Sequence, residues 1–305
     1  MKRWFRLPFK SFLLGGVVLF IARTVWAAAC CGGASAAPAV ISGDDRALIT
    51  SSYSFTEVAV DNVDAHGVWH KWDQHQQVQT FRLEGAHLIS DRWQAGFTLP
   101  VVKRSHVKQT HEGLGDVAAS LGYEYLTDWD YNPYRPKGIG FLQLTLPTAK
   151  ARAESENGGL DSEGNGFFAL GVGTLLTKIV GTYDLFATLE AHRSFQKKFS
   201  NAQMSGTLKP GSGGSLGLGA GYNLKDWRFG AAVTWTYEDA VKIDGPSPSP
   251  GAVERFATGV LSLGYLIEDE WTGTLSYADQ TLFGSPVNTS LGKTLSLGLQ
   301  KRWAR

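Results

Sequence analysis

The stretch Gly213-Gly214-Ser215-Leu216-Gly217 has the spacing of a serine nucleophile elbow. That motif works only where a sharp strand-to-helix turn lifts the serine hydroxyl clear of the sheet. Alternating apolar residues follow here instead of a helical pattern, so the match is coincidental. Gly113-Leu114-Gly115-Asp116 also leads into a strand and is no dinucleotide fingerprint. In HGVWHKWDQH, residues 66–75, His66, His70, Asp73 and His75 are zinc- or copper-ligand types. Their spacing fits no standard site and reads as a solvated external loop. Glu154, Glu156, Asp161 and Glu163 offer oxygens of the kind calcium takes, without EF-hand spacing, and read as a flexible loop. His192, Glu190 and Asp184 share one face of a candidate strand, as an acid/base pair requires; a polar wall has the same pattern. No Ser and His share a face of adjacent candidate strands, as a lipid hydrolase needs. No catalytic, cofactor-binding or metal-ligating residue is therefore assigned, and no enzymatic activity or cofactor is expected.

These residues belong to a chain of 305 residues that is rich in glycine (36) and poor in charge (19%). A mean hydropathy of −0.13 argues against a helical membrane bundle. High glycine without a triplet repeat suggests many strands and turns. The start has the shape of an export signal: Lys2, Arg3, Arg6 and Lys10 precede an apolar run at 12–22, and Ala27-Ala28-Ala29 supplies small residues for cleavage. That run is far shorter than the roughly twenty residues of a spanning helix. Residues 1–29 are thus expected to be a signal peptide, 30–45 a flexible mature N-terminus, and 46–305 one β domain. Without the leader, 24 basic against 28 acidic residues leave a charge near −4, with no basic patch for nucleic acid. The two cysteines, Cys30 and Cys31, are adjacent and cannot staple the domain. Ala27-Ala28-Ala29-Cys30 loosely resembles a lipoprotein box but lacks its leucine, so lipidation of Cys30 is the lesser alternative.

From residue 46 onward apolar and polar residues alternate with period two, interrupted by turn residues. Twelve strands are expected, near 47–58, 78–88, 93–102, 115–126, 138–147, 168–176, 183–192, 216–224, 227–237, 261–267, 271–277 and 295–303. Tight connections near Ser90-Asp91, Gly181-Thr182, Lys225-Asp226 and Glu268-Asp269-Glu270 alternate with long polar ones, the connection at 127–137 being long for its class. Alternation of this kind puts every long loop at one end, as in an up-and-down antiparallel barrel.

A soluble barrel hides its apolar face inside, whereas a transmembrane one turns it to lipid and keeps a polar interior. Strands of about ten residues suit a tilted crossing of the bilayer core. Aromatics follow the tight turns at Trp93, Tyr183, Trp227 and Trp271. With Trp303 they form the interfacial girdle expected where hydrocarbon meets headgroups. The opposite face carries Arg82, Glu84, Asp116, Glu124, Asp184, Glu190, His192 and Arg228, the candidate lumen-lining residues. The expected fold is an all-β transmembrane barrel of about twelve strands in a Gram-negative outer membrane, with both termini periplasmic. Its partners would be outer-membrane lipid, the barrel assembly machinery and small solutes. Passive passage of those solutes is the leading function; a non-conducting surface interaction or assembly barrel is the alternative, and an outer-membrane hydrolase the third.

Gly113-Leu114-Gly115-Asp116, then Leu121-Gly122-Tyr123-Glu124-Tyr125, then Leu144-Thr145-Leu146-Pro147-Thr148 follow the motif order of a known family. The chain resembles the outer-membrane transporters of the meta-pathway of phenol degradation. Ala149 stands where that family's L-P-T-G element has glycine, and Gly164-Asn165-Gly166 supplies a continuation. The resemblance implies a barrel and passage of small compounds, aromatic ones among them, and carries no functional residue over. The chain ends on Arg305 where such barrels end on an aromatic; Trp303 is the candidate replacement.

Overall fold

The computed structural model describes residues 38–305, apart from 73–75, 108, 129–131, 133 and 202–203. The expected signal peptide, Cys30, Cys31, Asp73 and His75 lie outside the described residues. Among those described, twelve long strands form a closed antiparallel barrel: β1 Asp45–Val63, β2 Gln76–Leu88, β3 Trp93–His106, β4 Val117–Leu126, β5 Lys137–Leu146, β6 Ala169–Val180, β7 Tyr183–Ser194, β8 Ser212–Leu224, β9 Trp227–Glu238, β10 Glu254–Glu268, β11 Trp271–Asp279 and β12 Thr289–Ala304. Each pairs with its neighbours in sequence. β1 closes on β12 in a ladder that runs from Asp45 opposite Ala304 to Val63 opposite Thr289. Closure leaves no free edge, so the backbone can cross hydrocarbon with its polar groups paired.

Which face points outward follows from the pleat. Leu216, Leu218, Tyr222 and Leu224 on β8 and Trp227, Phe229, Trp235 and Tyr237 on β9 are all exposed. Gly217 opposes Thr188 and Thr234, and Gly219 opposes Phe186 and Ala232, all on the inward face. The inward row of β8 is almost side-chain-free because its neighbours lean over it. A Cβ at Gly219 would collide with the Phe186 ring, one at Gly217 with the Thr188 hydroxyl, and one at Gly221 with the Asp184 carboxylate. Glycine there gives room to larger groups from β7 and β9.

The short turns lie at one end of the barrel with Asp45 and Ala304, and the long connections lie at the other end. Outer-membrane barrels keep short turns periplasmic and long loops extracellular. Two of the long connections extend the wall: Gln109–Leu114 pairs with β3, and Trp69–His70 with β1. Three others fold together. Strands at Lys197–Ser200, Ser205–Lys209 and Lys242–Asp244 form a small sheet. Phe199, Leu208 and Ile243 from it bury against Ala151 and Phe167. These long polar connections are therefore a cap with its own apolar core.

Candidate functional site

The barrel interior is built from alternate residues of every strand. On β7 and β9, Asp184 and Arg228 face each other across Gly221: Nε donates to Oδ2 at 2.9 Å and Nη2 to Oδ1 at 2.5 Å. The amide of Asn223 donates to the same carboxylate at 2.9 Å. Nearer the long-loop end His192 stands between two acids, Nδ1 2.9 Å from Glu190 Oε1 and Nε2 3.1 Å from Glu238 Oε2. A Cβ at Gly213 would collide with that Glu238–His192 pair. With both ring nitrogens held by carboxylates, His192 is not placed to deprotonate a serine. Ser215, the centre of the elbow-like motif, sits mid-strand with its hydroxyl buried and unbonded.

On the opposite wall Glu124 is buried and pairs with Lys137 at 3.2 Å. Glu84 accepts a long hydrogen bond from Thr98 Oγ1 at 3.4 Å. Arg82, in register with Ser52 and Pro100, has a buried Nε without a hydrogen-bond partner in the protein. Asp116 departs from the expected lumen set. It precedes β4 and accepts the N–H groups of Ala149 and Gly166 at 3.1 and 2.9 Å, tying the 147–168 loop to the barrel rim. Burial pushes its carboxyl above the ordinary range despite those bonds.

Sequence reasoning missed the apolar part of the interior. Ile139 and Phe141 are buried on the inward face of β5, opposite Glu124 and Gly122. Phe186 joins them from β7 over Gly219. It also missed Glu238 and Lys137, the partners that neutralise much of the interior charge; both sit at strand ends where loop and strand read alike.

Each end of the barrel is furnished. At the short-turn end residues 38–44, expected to be flexible, dock inside. Ile41 donates its N–H to Gln94 Oε1 at 2.6 Å and accepts from Gln94 Nε2 at 3.2 Å. Ile41 packs on Leu48 and Ala86, both inward-facing. Gly96 lets this segment approach, since a Cβ there would strike the carbonyl of Ala39. At the long-loop end Val60, Val63, Phe256 and Leu291 form a buried apolar cluster.

The loops carry their own polar order. Burial alone would raise the Asp161 carboxyl, but bonds from Ser155 Oγ and the N–H groups of Glu156 and Asn157 outweigh it and hold it well below the carboxylate range. The 154–166 segment is thus a folded turn around a carboxylate, neither the flexible loop expected nor a calcium cage. In the first loop Asp64 accepts the N–H groups of Val68 and His66 and faces His70 Nε2 at 3.2 Å, which lowers its carboxyl to about 2. Among the described residues no group of three or more such side chains is placed to hold a metal.

The aromatics after the short turns stand on the outward face, each against a neighbour. Trp93 packs on Tyr123 with ring centroids 4.8 Å apart, Tyr183 on Tyr222 at 5.3 Å, and Trp227 on Tyr265 at 4.6 Å. Lys301 Nζ lies 5.2 Å from the Trp271 ring centroid and 5.1 Å from that of Trp303.

A closed antiparallel barrel, apolar outside and polar within, with short turns at one end, is the architecture of outer-membrane β-barrel proteins. The fold is similar to that of the COG4313 outer membrane channel from Pseudomonas putida F1, with a TM-score of 0.70 at 14% identity over 87% of this chain and 100% of that one. More distant barrels also match. The translocator domain of the autotransporter NalP from Neisseria meningitidis has a TM-score of 0.47 at 12% identity, over 86% and 89% of the two chains. The NanC porin has 0.44 at 11%, over 83% and 98%. At these identities the likeness is one of fold. No protein-family model matches the sequence, and no curated protein does.

Proposed function

We propose that this protein is an outer-membrane channel for passive passage of small solutes, exported by its N-terminal signal. The observation that carries the reading is the two-sided interior. Charged pairs from β4–β5 and β7–β9 share it with Ile139, Phe141 and Phe186. Such a lining offers partners to a solute with both an apolar body and a polar group, because ligand sites combine apolar walls with a few placed polar groups. Small aromatic compounds fit that description, in keeping with the motif resemblance to transporters of phenol degradation. Arg82, Glu84, Glu124, Asp184, Glu190, His192 and Arg228 line the path, and the paired aromatics Trp93, Tyr183, Trp227, Trp271 and Trp303 anchor the barrel at the periplasmic interface.

A second reading, a barrel that does not conduct, draws on residues 38–44 docked in the periplasmic end. Ion flow through refolded protein in a planar bilayer separates the two. Swelling of liposomes loaded with small sugars or aromatic acids then ranks the solutes. Conductance without swelling in any solute would restrict the protein to ions.

A further inference from the structure

The outer wall carries a groove that the channel reading leaves without a task. It lies on the outward face at the extracellular end of β7–β10 and encloses about 620 Å³. Gly214 forms part of its floor, where the absence of a side chain lets the Glu190 carbonyl of the neighbouring strand approach. Leu216, Trp235 and Tyr237 wall one side, all of them exposed. Gly284 and Ser285 wall the other, where the 280–288 connection folds down over β10. That connection is fixed by backbone bonds between Arg255 and Val287 and by Arg255 Nε donating to Ser285 O at 3.1 Å. The groove is therefore preformed.

Charge sets its upper rim. Arg255 borders it on β10, and Arg193 on β7 reaches Ser212, another lining residue, with Nη1 at 3.1 Å. Both arginines are exposed and outward-facing. Among the described residues neither has a carboxylate partner. Glu190 borders the groove with its carbonyl against Gly214, while its carboxylate faces the barrel interior and is bonded to His192. Asp239 stands in the cap beside Gly211 and does not line the groove. Three interstrand spacings separate β7 from β10, and Arg193 stands two residues beyond the row of Arg255, so the two backbone positions lie roughly 16 Å apart across the wall. An apolar slot below and two spaced guanidinium groups above are complementary to acyl chains under a headgroup with two separated phosphates.

We propose that this groove binds one molecule of lipopolysaccharide from the outer leaflet, its phosphates on Arg193 and Arg255 and an acyl chain along Leu216 and Trp235. The proposal rests on the outer-membrane reading and its orientation, but not on conduction. Native mass spectrometry of the full mature protein in detergent, titrated with purified lipopolysaccharide, reads the bound stoichiometry and affinity directly. Wild type is expected to hold one molecule. Arg193→Ala/Arg255→Ala should bind at least ten-fold more weakly, while Arg193→Lys/Arg255→Lys should keep most of the affinity. Lys301→Ala, at the opposite end of the barrel, should bind as wild type does. Arg193→Ala alone, which leaves the Arg255–Ser285 contact intact, should weaken binding if the double variant misfolds. Equal binding by wild type and the alanine variants would overturn the proposal. So would equal binding of phosphatidylglycerol, which carries a single phosphate. A protein that binds lipopolysaccharide here yet never conducts would refute the channel reading and leave this one standing.

Discussion

Arg228 clasps Asp184 through two charge-assisted hydrogen bonds directly over Gly221. The pair spans three strands, and the glycine beneath it is what makes the geometry possible. Gly221→Leu should expel the pair and destabilise the barrel by about 1–3 kcal/mol, the cost of overpacking. Urea titration of the folded-to-unfolded gel shift measures it; an unchanged midpoint would show that the pair does not need that space.

The same contact bears on ion selectivity. Asp184 is already neutralised by Arg228, so Asp184→Asn should leave a bare cation and move the reversal potential toward anions. Glu84, held only by the long Thr98 bond, has no ion-pair partner within 4 Å among the described residues. Glu84→Gln should move it the same way, and Glu156→Gln in the cap should move it little because salt screens exposed charge. Reversal potentials in a salt gradient distinguish these outcomes; a larger effect from Glu156 would place the selective charge outside the barrel.

The face assignment predicts a contrast between adjacent residues. Val233 opposes Leu218 on the outward face, and Thr234 points inward opposite Gly217. Val233→Arg should cost about 2–4 kcal/mol near the bilayer midplane and Thr234→Arg much less. Refolding titrations into lipid vesicles compare them, and equal losses would invert the barrel's faces.

Asp161 gives the cap a definite pH response. Its folded pKa lies below the unfolded value of about 3.9. Its contribution is therefore complete above the unfolded value and is lost as pH falls through the folded one. Wild-type cap loops should resist protease at pH 4, whereas Asp161→Asn, which weakens several bonds to a charged acceptor, should be cut even at pH 7. Loss of protection in wild type at pH 5 would contradict the assignment.

The twelve strands were legible because one face meets lipid, and a slip of one residue would bury every polar group there. Leu218 and Leu263, on neighbouring hairpins, show that pattern plainly. The interior was legible only in part. β5 is apolar on both faces, with Phe141 inward and Leu142 outward, so alternation could not announce Phe141. The cap was hidden for a different reason: Phe167, Phe199, Leu208 and Ile243 are single apolar residues scattered through polar loops, and only tertiary packing joins them. The docking of Ile41 on Gln94 has no local signal, as it links residues 53 apart.

That docking shapes the most direct test of the account. Single-channel recording in a planar bilayer, on wild type and Gln94→Ala, reads conduction and the role of residues 38–44 together. Removing the two Gln94 bonds, each worth about 1 kcal/mol, should loosen the segment. The account predicts small discrete steps for wild type and larger or more frequent ones for Gln94→Ala. Silence from both proteins, with folding verified by the gel shift, would contradict it.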